Sequence, residues 1–571
     1  MLMTIWLNHY PPGVPASLSY PRATLYDVLR ETARRYPNHT ATIFMDGRLT
    51  YRQLLERVDK MAAALQKQLG VNKGDRVALM LPNIPQMVIG YYAVLAAGAV
   101  CVGVNPMYTE RELSHQIKDA GAKVIFLLDL LYPKVEAVRE KSGLEKLVVT
   151  SIKDYLPFPK NLLYPLKARR EGQVVHIPSR PDIYWFSQLI NQSDGVFQRP
   201  EIDPEKDLAV LQYTGGTTGL SKGAMLTHRN IYANALQLCV WDTDKKPGQE
   251  VALCVLPFFH SYGMTVCMNI SVFNGFTMVL IPRFDVKALL ESIQRYRANI
   301  FPGTPTIYVA LINHPDTPKY DLSSIRGCLS GAAPLPLEVK QKFEAITGGC
   351  LVEGYGLSET SPVALSNILS RQHDPGTVGA IGLPLPDTLV KIADLETGQR
   401  ELPPGQVGEI CVKGPQVMVG YWNRPEETAA ALRDGWLYTG DIGYMDERGY
   451  TFIVDRKKDL IIAGGYNIYP REVEEVLYEH PKVREAAVIG VADPYRGETV
   501  KAFVVLKEGE QASEQEIMDY CRQKLAAYKI PRIVEFRPEL PKTNVGKILR
   551  RVLAEEERSK SAAQAAAAEE K

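Results

Sequence analysis

The chain has 571 residues, of which 46% are hydrophobic and 23% charged, with a formal net charge of +1 at pH 7. That is ordinary composition for a globular protein, too long for a single core, and it predicts two or more domains. A near-neutral balance supplies no global field that favours nucleic acid, and the eight dispersed cysteines form no Cys-x-x-Cys pair, which excludes an obvious zinc site or disulfide framework and fits a reducing cytoplasm.

The opening residues lack a basic start followed by a long apolar run, which argues against a signal peptide. Two uncharged stretches, 77–109 and 251–282, exceed the roughly 20 residues a membrane span needs. Prolines, asparagines and the breaks at Gly98 and Gly275 interrupt them. Each reads instead as a buried helix, a glycine and a buried strand: 86–97 then 100–104, and 263–273 then 277–281. Strand-like runs at 76–81, 123–128, 208–213 and 277–282 alternate with helical ones. Thr50 with Gln53, and Thr109 with Glu112, have capping-box spacing. The alternation predicts a large layered α/β domain. Within it, 151–180 interleaves aromatics and leucines with Lys160, Lys167, Arg169 and Arg170. It reads first as a surface loop packed on its own domain, second as a peripheral contact with an anionic bilayer, and only third as a nucleic-acid contact.

Residues 213–223, YTGGTTGLSKG, hold four glycines, three threonines, one serine and one lysine. Such a run cannot build a core. It builds a turn whose N–H groups, hydroxyls and ammonium converge on an anion, with phosphate the obvious guest. It is not a Walker loop, because Leu220 and Ser221 separate Gly219 from Lys222. His260 follows in PFFHSYG, where a satisfied core histidine is the plainer alternative. The Met- and Phe-rich stretch 263–276 reads as the wall of an apolar tunnel or as ordinary core. SGAAPLP at 330–336 lets a flat ligand lie close to the backbone. VEGYGLSET at 352–360 sets Tyr355, Glu359 and Thr360 on a glycine-broken loop, and Glu359 is a hard oxygen ligand suited to Mg2+ that also carries triphosphate. Asp441, in WLYTGDIG, can accept both hydroxyls of a ribose or simply cap its turn. VDRKKD supplies Arg456, and PKTNVGKILR presents Lys547. After Gly449 the texture changes to a compact α+β pattern, and the closing SAAQAAAAEEK is expected to fray.

Taken in order, YTGGTTGLSKG, PFFH, SGAAP, GYGLSET, YTGD, DRKKD and PKTNVGK resemble the superfamily of acyl- and aryl-CoA synthetases, luciferases and peptide-synthetase adenylation domains. The resemblance spans nearly the whole chain. IWLNHYPPGVP, AMLTHRN, CVKGPQVMVGYW and ELPKTNVGKILRR are similar to bacterial long-chain fatty acid–CoA ligases in particular. It implies a large N-terminal domain over 1–457, a small mobile C-terminal domain over 458–557 and a disordered tail over 558–571. It also implies ATP and CoA as co-substrates, Mg2+ as cofactor, and a two-step reaction through an acyl-adenylate.

The resemblance further assigns roles. Lys547 would bridge carboxylate and α-phosphate, with Glu359 and Thr214 placing the metal. Gly215, Gly216, Thr217, Thr218, Gly219 and Lys222 would hold the phosphates. Gly331, Ala332, Ala333, Glu353, Gly354, Tyr355, Gly356 and Thr360 would surround the nucleotide, with Asp441 and Arg456 on its ribose. Lys458 matches the hinge position, and Gly464 and Gly465 would face the thiol of CoA. Lys529 and Arg532 would meet CoA phosphates. His260 would stand between acyl pocket and adenylate, and Met264 and Met268 would line the pocket. Met264 occupies the place where some long-chain members carry a gating tryptophan. Small-molecule partners are expected without nucleic acid, with peripheral membrane contact and a homodimer as further expectations. The competing readings are a medium-chain or aryl acid–CoA ligase, a module that loads a carrier protein, and a non-catalytic nucleotide binder.

Overall fold

The structure is a computed structural model that describes residues 4–214, 221–369, 377–463, 466–493, 496–542 and 548–569. The chain forms two compact units: residues 1–389 with 412–437, and residues 390–411 with 438–571. The strands Trp436–Met445 and Thr451–Arg456, on either side of Gly449, pair with each other.

In the first unit six strands run parallel: Ile183–Trp185, Lys146–Thr150, Val124–Leu128, Arg76–Met80, Val100–Gly103 and Leu208–Thr214, in that spatial order. Lys222–Thr227 and then Gly420–Tyr421 continue the sheet antiparallel. The parallel strands are apolar nearly throughout, as strands covered on both faces must be. The helix Pro85–Ala96 is buried over its whole length, and Gly98 at φ +74° turns the chain into the strand Val100–Gly103. That is the helix–glycine–strand reading of the first uncharged stretch. Among the described residues no helix is long and apolar enough to cross a membrane. Both expected capping boxes form, at Thr50 and at Thr109.

A second sheet of the same unit carries Val251–Cys254, Thr277–Leu280 and Thr40–Phe44 in parallel. Single bridges through Ile300 lead on to Gly327–Ser330, which runs parallel to Cys350–Gly356. Leu253, Val279, Leu289, Phe301, Tyr308 and Phe343 pack into its core. The 151–180 segment is not the loop expected: it contains the helix Lys160–Arg170.

In the second unit a long hairpin, Val483–Asp493 with Gly497–Leu506, is covered on both faces. Alternation sends Ala486, Val488, Ala502 and Val504 to one core and Ala487, Ile489, Phe503 and Val505 to the other. The final helix runs Arg550–Glu569 rather than stopping before the alanine-rich tail, since alanine is the strongest helix former.

Candidate functional site

The strand Leu208–Thr214 ends opposite the start of its neighbour, with Thr214 paired in register to Lys222. The glycine-threonine loop therefore leaves and re-enters the sheet at one place. The loop residues Gly215, Gly216, Thr217, Thr218 and Gly219 lie outside the described residues, as do Gly464, Gly465 and Lys547. What holds the loop's exit is clear. Lys222 lies 3.6 Å from a Glu427 carboxylate oxygen and 5.5 Å from the centre of the Tyr421 ring. Tyr421 sits on the adjoining strand, opposite Ala224.

The Glu359 turn packs against the same two strands. Its backbone carbonyl accepts from Met418 N–H at 2.8 Å, and its Oε1 accepts from the Tyr421 hydroxyl, also at 2.8 Å. Burial and the facing carboxylate push the Tyr421 phenol well above its ordinary pKa, so it stays a donor. Lys222, Tyr421 and Glu359 thus form one chain of contacts where the glycine-threonine loop rejoins the sheet. A hydroxyl, a carboxylate and phosphate oxygens are the hard donors Mg2+ takes, and Mg2+ is commonly held by one or two carboxylates plus substrate. Thr214 and Glu359 fit that set. Among the described residues no cluster of three or more metal-binding side chains exists, so a metal here would rest largely on its phosphates.

The turn after Gly327–Ser330 closes on Tyr262. A Cβ on Gly331 would come within 3.0 Å of that ring, whose hydroxyl donates to the Leu329 carbonyl at 2.6 Å. Ala332 is held at φ +68°, a left-handed conformation that costs a non-glycine residue roughly 1–2 kcal/mol. Such strain concentrates at ligand sites. Ala333 follows it. Beside this turn Glu353 accepts from Leu335 N–H at 3.2 Å, and Gly354 packs on Leu329. A Cβ on Gly356 would stand 1.8 Å from the Pro362 carbonyl oxygen, so only glycine fits there. Tyr355 is buried between them. Thr360 is fully buried and its hydroxyl bonds Leu357 and Pro362, so it braces the loop from within.

His260 lies on the same side. Its ring Nδ1 accepts from Tyr262 N–H at 3.2 Å, and the Ser261 and Ser358 hydroxyls meet at 3.2 Å. That contact brings the His260 turn to the Glu359 turn. Gly263–Asn269 then winds as a π-helix, a rare form frequent at functional sites. Met264 and Met268 are both buried on it, at 2% and 0% exposure.

In the second unit Asp441 and Arg456 are cross-strand partners, Nε to Oδ1 at 3.1 Å, with Asp441 nearly buried. Lys458 is exposed two residues on. Lys529 is engaged by Glu472, whereas the Arg532 side chain is exposed. The residue that sequence reasoning missed is Arg550. Its guanidinium meets Glu474, Asp455 at 3.4 Å and Asp459 at 3.1 Å, which ties the chain just beyond Lys547 to the segment on either side of Lys458. Tyr421 was missed too; the GYW of CVKGPQVMVGYW carried it, but nothing local marked its hydroxyl.

The large domain is that of an adenylate-forming enzyme. The family model for AMP-binding enzymes matches residues 29–422, and that for the AMP-binding enzyme C-terminal domain matches 472–547. This chain belongs to the AMP-binding enzyme family. A long-chain-fatty-acid–CoA ligase of Bacillus subtilis (strain 168) is 54% identical over 97% of this chain and 98% of its own. ATP-bound MatB from Rhodopseudomonas palustris superposes with a TM-score of 0.82 at 32% identity, covering 94% of this chain and 99% of that one. The anthranilate CoA ligase AuaEII, in complex with anthranoyl-AMP, gives 0.83 at 27% identity, covering 96% and 100%.

Proposed function

We propose that this chain is a long-chain fatty acid–CoA ligase that works through an acyl-adenylate. The observation that carries the reading is the meeting of Thr214, Lys222 and the Glu359 turn at the ends of two paired strands, in a chain 54% identical to a ligase of that name along its length. A carboxylate is a poor electrophile. Its oxygen first attacks the α-phosphorus of ATP, and the bond to pyrophosphate breaks. The CoA thiol then attacks the acyl carbon, the bond to AMP breaks, and the thiol proton leaves.

The first step brings anion to anion, so electrostatic stabilisation dominates it. Mg2+, when bound by Thr214 and Glu359, would supply charge neutralisation on the phosphates. Thr217, Thr218 and Lys222 hold the outer phosphates, and Lys547 offsets the repulsion between the two reactants. Asp441 and Arg456 grip the ribose, and the strained Gly331–Ala332–Ala333 turn takes the adenine with Tyr355. His260 orients the carboxylate where the acyl pocket meets the adenylate. Lys458 is the pivot that lets the small domain withdraw Lys547 and present Gly464 and Gly465 to the thiol. Met264 and Met268 wall the acyl chain, where each buried methylene contributes about 0.8 kcal/mol. Because long acids partition into bilayers, the enzyme works peripherally at a membrane face.

A screen of straight-chain acids, with AMP and acyl-CoA measured together, tests the assignment. Equal yields of both products, highest for long acids, are expected. A peak at medium-chain or aryl acids would replace the substrate class, and acid-independent silence of AMP production would remove the enzyme reading.

A further inference from the structure

The helix Lys160–Arg170 is inverted relative to an ordinary surface helix. Its inward side carries Asn161, Tyr164 and the buried Ala168. Its outward side carries Leu162, Leu163 and Leu166, which are 65%, 57% and 59% exposed, together with Arg169 and Arg170. Phe158, just before it, is 77% exposed. At 3.6 residues per turn Leu162 and Leu166 stack one turn apart, and Leu163 and Arg170 flank them. Leucines gain nothing by facing water, so this face is built for something apolar.

The charge says what. Residues 158–171 hold four cations against Glu171 alone, on a chain whose net charge is +1. Lys160 pairs with Asp46 at 2.6 Å and Lys167 lies 3.8 Å from Glu171. No ion pair is recorded among the described residues for Arg169 or Arg170, which stand exposed at the end of the leucine face. Beside the helix a groove of about 400 Å³ is lined by Leu156, Leu163, Tyr164 and Tyr296 with charges of both signs, Lys167 and Arg295 beside Asp46 and Glu291, so the unpaired positive charge lies with Arg169 and Arg170. Protein interfaces concentrate tyrosine and tryptophan anchors and are poor in leucine hot spots and lysine. Leucine and phenylalanine edged by lysine and arginine are instead the composition of interfacial helices, where burial of apolar side chains and attraction to anionic headgroups act together.

We propose that Phe158 and the outward face of Lys160–Arg170 dock this chain on an anionic lipid bilayer. The leucines and Phe158 enter the acyl boundary, and Arg169 and Arg170 contact headgroup phosphates. The inference extends the peripheral placement given above and is separable from the ligase assignment. The test is co-sedimentation of the full chain with phosphatidylcholine vesicles, with and without phosphatidylglycerol. Binding should require phosphatidylglycerol and fall with added salt. Arg169→Gln with Arg170→Gln should weaken it roughly 30-fold, from the usual contribution of each basic residue at an anionic surface. Leu162→Glu with Leu166→Glu should abolish it. These side chains are exposed, so ligase activity on a water-soluble acid should be unchanged in both variants, which also shows that they fold. Binding to neither vesicle, equal binding to both, or variants that bind like the parent overturns the docking surface. Capture of a protein partner by the same face in place of vesicles does so too. Absence of ligase activity in a parent chain that still binds vesicles would instead sink the substrate assignment.

Discussion

Two charged clusters among the described residues differ in how firmly each holds its cation. At the end of the phosphate loop Lys222 is 28% exposed, stands 3.6 Å from Glu427 and rests over the Tyr421 ring. In the second unit Arg550 faces three carboxylates, and two of them, Asp455 and Glu474, are only 1% and 11% exposed. Burial holds the Asp455 and Glu474 carboxyls above the usual range despite the guanidinium beside them. The first cluster is loosely tied and has charge to give to an incoming anion. The second is saturated and acts as a latch on the segment that leads from Lys547.

Breaking the latch should therefore be the costliest single change. Arg550→Met strands two buried carboxylates, and loss of one partner from a buried pair costs about 3–5 kcal/mol. Chemical denaturation should show that loss in the second unit, whereas retention of full stability would mean the cluster is surface-like. The loose cluster should answer in catalysis instead. Glu359→Ala should lower kcat/KM for ATP about 100-fold, as loss of one transition-state charge contact does, with little change in Tm. A Tm drop without a kinetic effect would make Glu359 a brace. Tyr421→Phe keeps the ring over Lys222 but removes the donor to Glu359. About a tenfold rise in KM for Mg2+-ATP is expected, in line with one hydrogen bond to a charged group, and an unchanged KM would uncouple the tyrosine from the site.

A further effect is one of pH. His228 is buried in the first unit, and burial pulls it down from 6.5 to about 4. Between those values the unfolded chain binds more protons, so the stability contributed by the neutral ring is present above pH 6.5 and is lost as pH falls toward 4. The fall in Tm across that window should shrink in His228→Asn. A parallel decline in both proteins would assign the acid sensitivity to other groups.

These contrasts also mark what could be read in advance. Thr50 and Thr109 declare their helices because each partner lies three residues away. The helix–glycine–strand units were legible because apolar runs broken at Gly98 and Gly275 have few other ways to fold. Tyr421 was not legible, since its hydroxyl finds Glu359 across 62 residues through a strand only two residues long. Arg550 stands three positions after Lys547, yet its carboxylates are 76 to 95 residues back along the chain. The helix Lys160–Arg170 escaped for another reason: its inward residues Asn161, Tyr164 and Ala168 make no apolar stripe, so periodicity suggested a loop.

The proposed mechanism requires one amine, that of Lys547, to serve only the first half-reaction. Lys547→Ala, assayed for pyrophosphate release from acid and ATP and separately for acyl-CoA formation from supplied acyl-adenylate, isolates that role. Pyrophosphate release lost with thioester formation intact is the predicted result; equal loss of both half-reactions, or of neither, would contradict it.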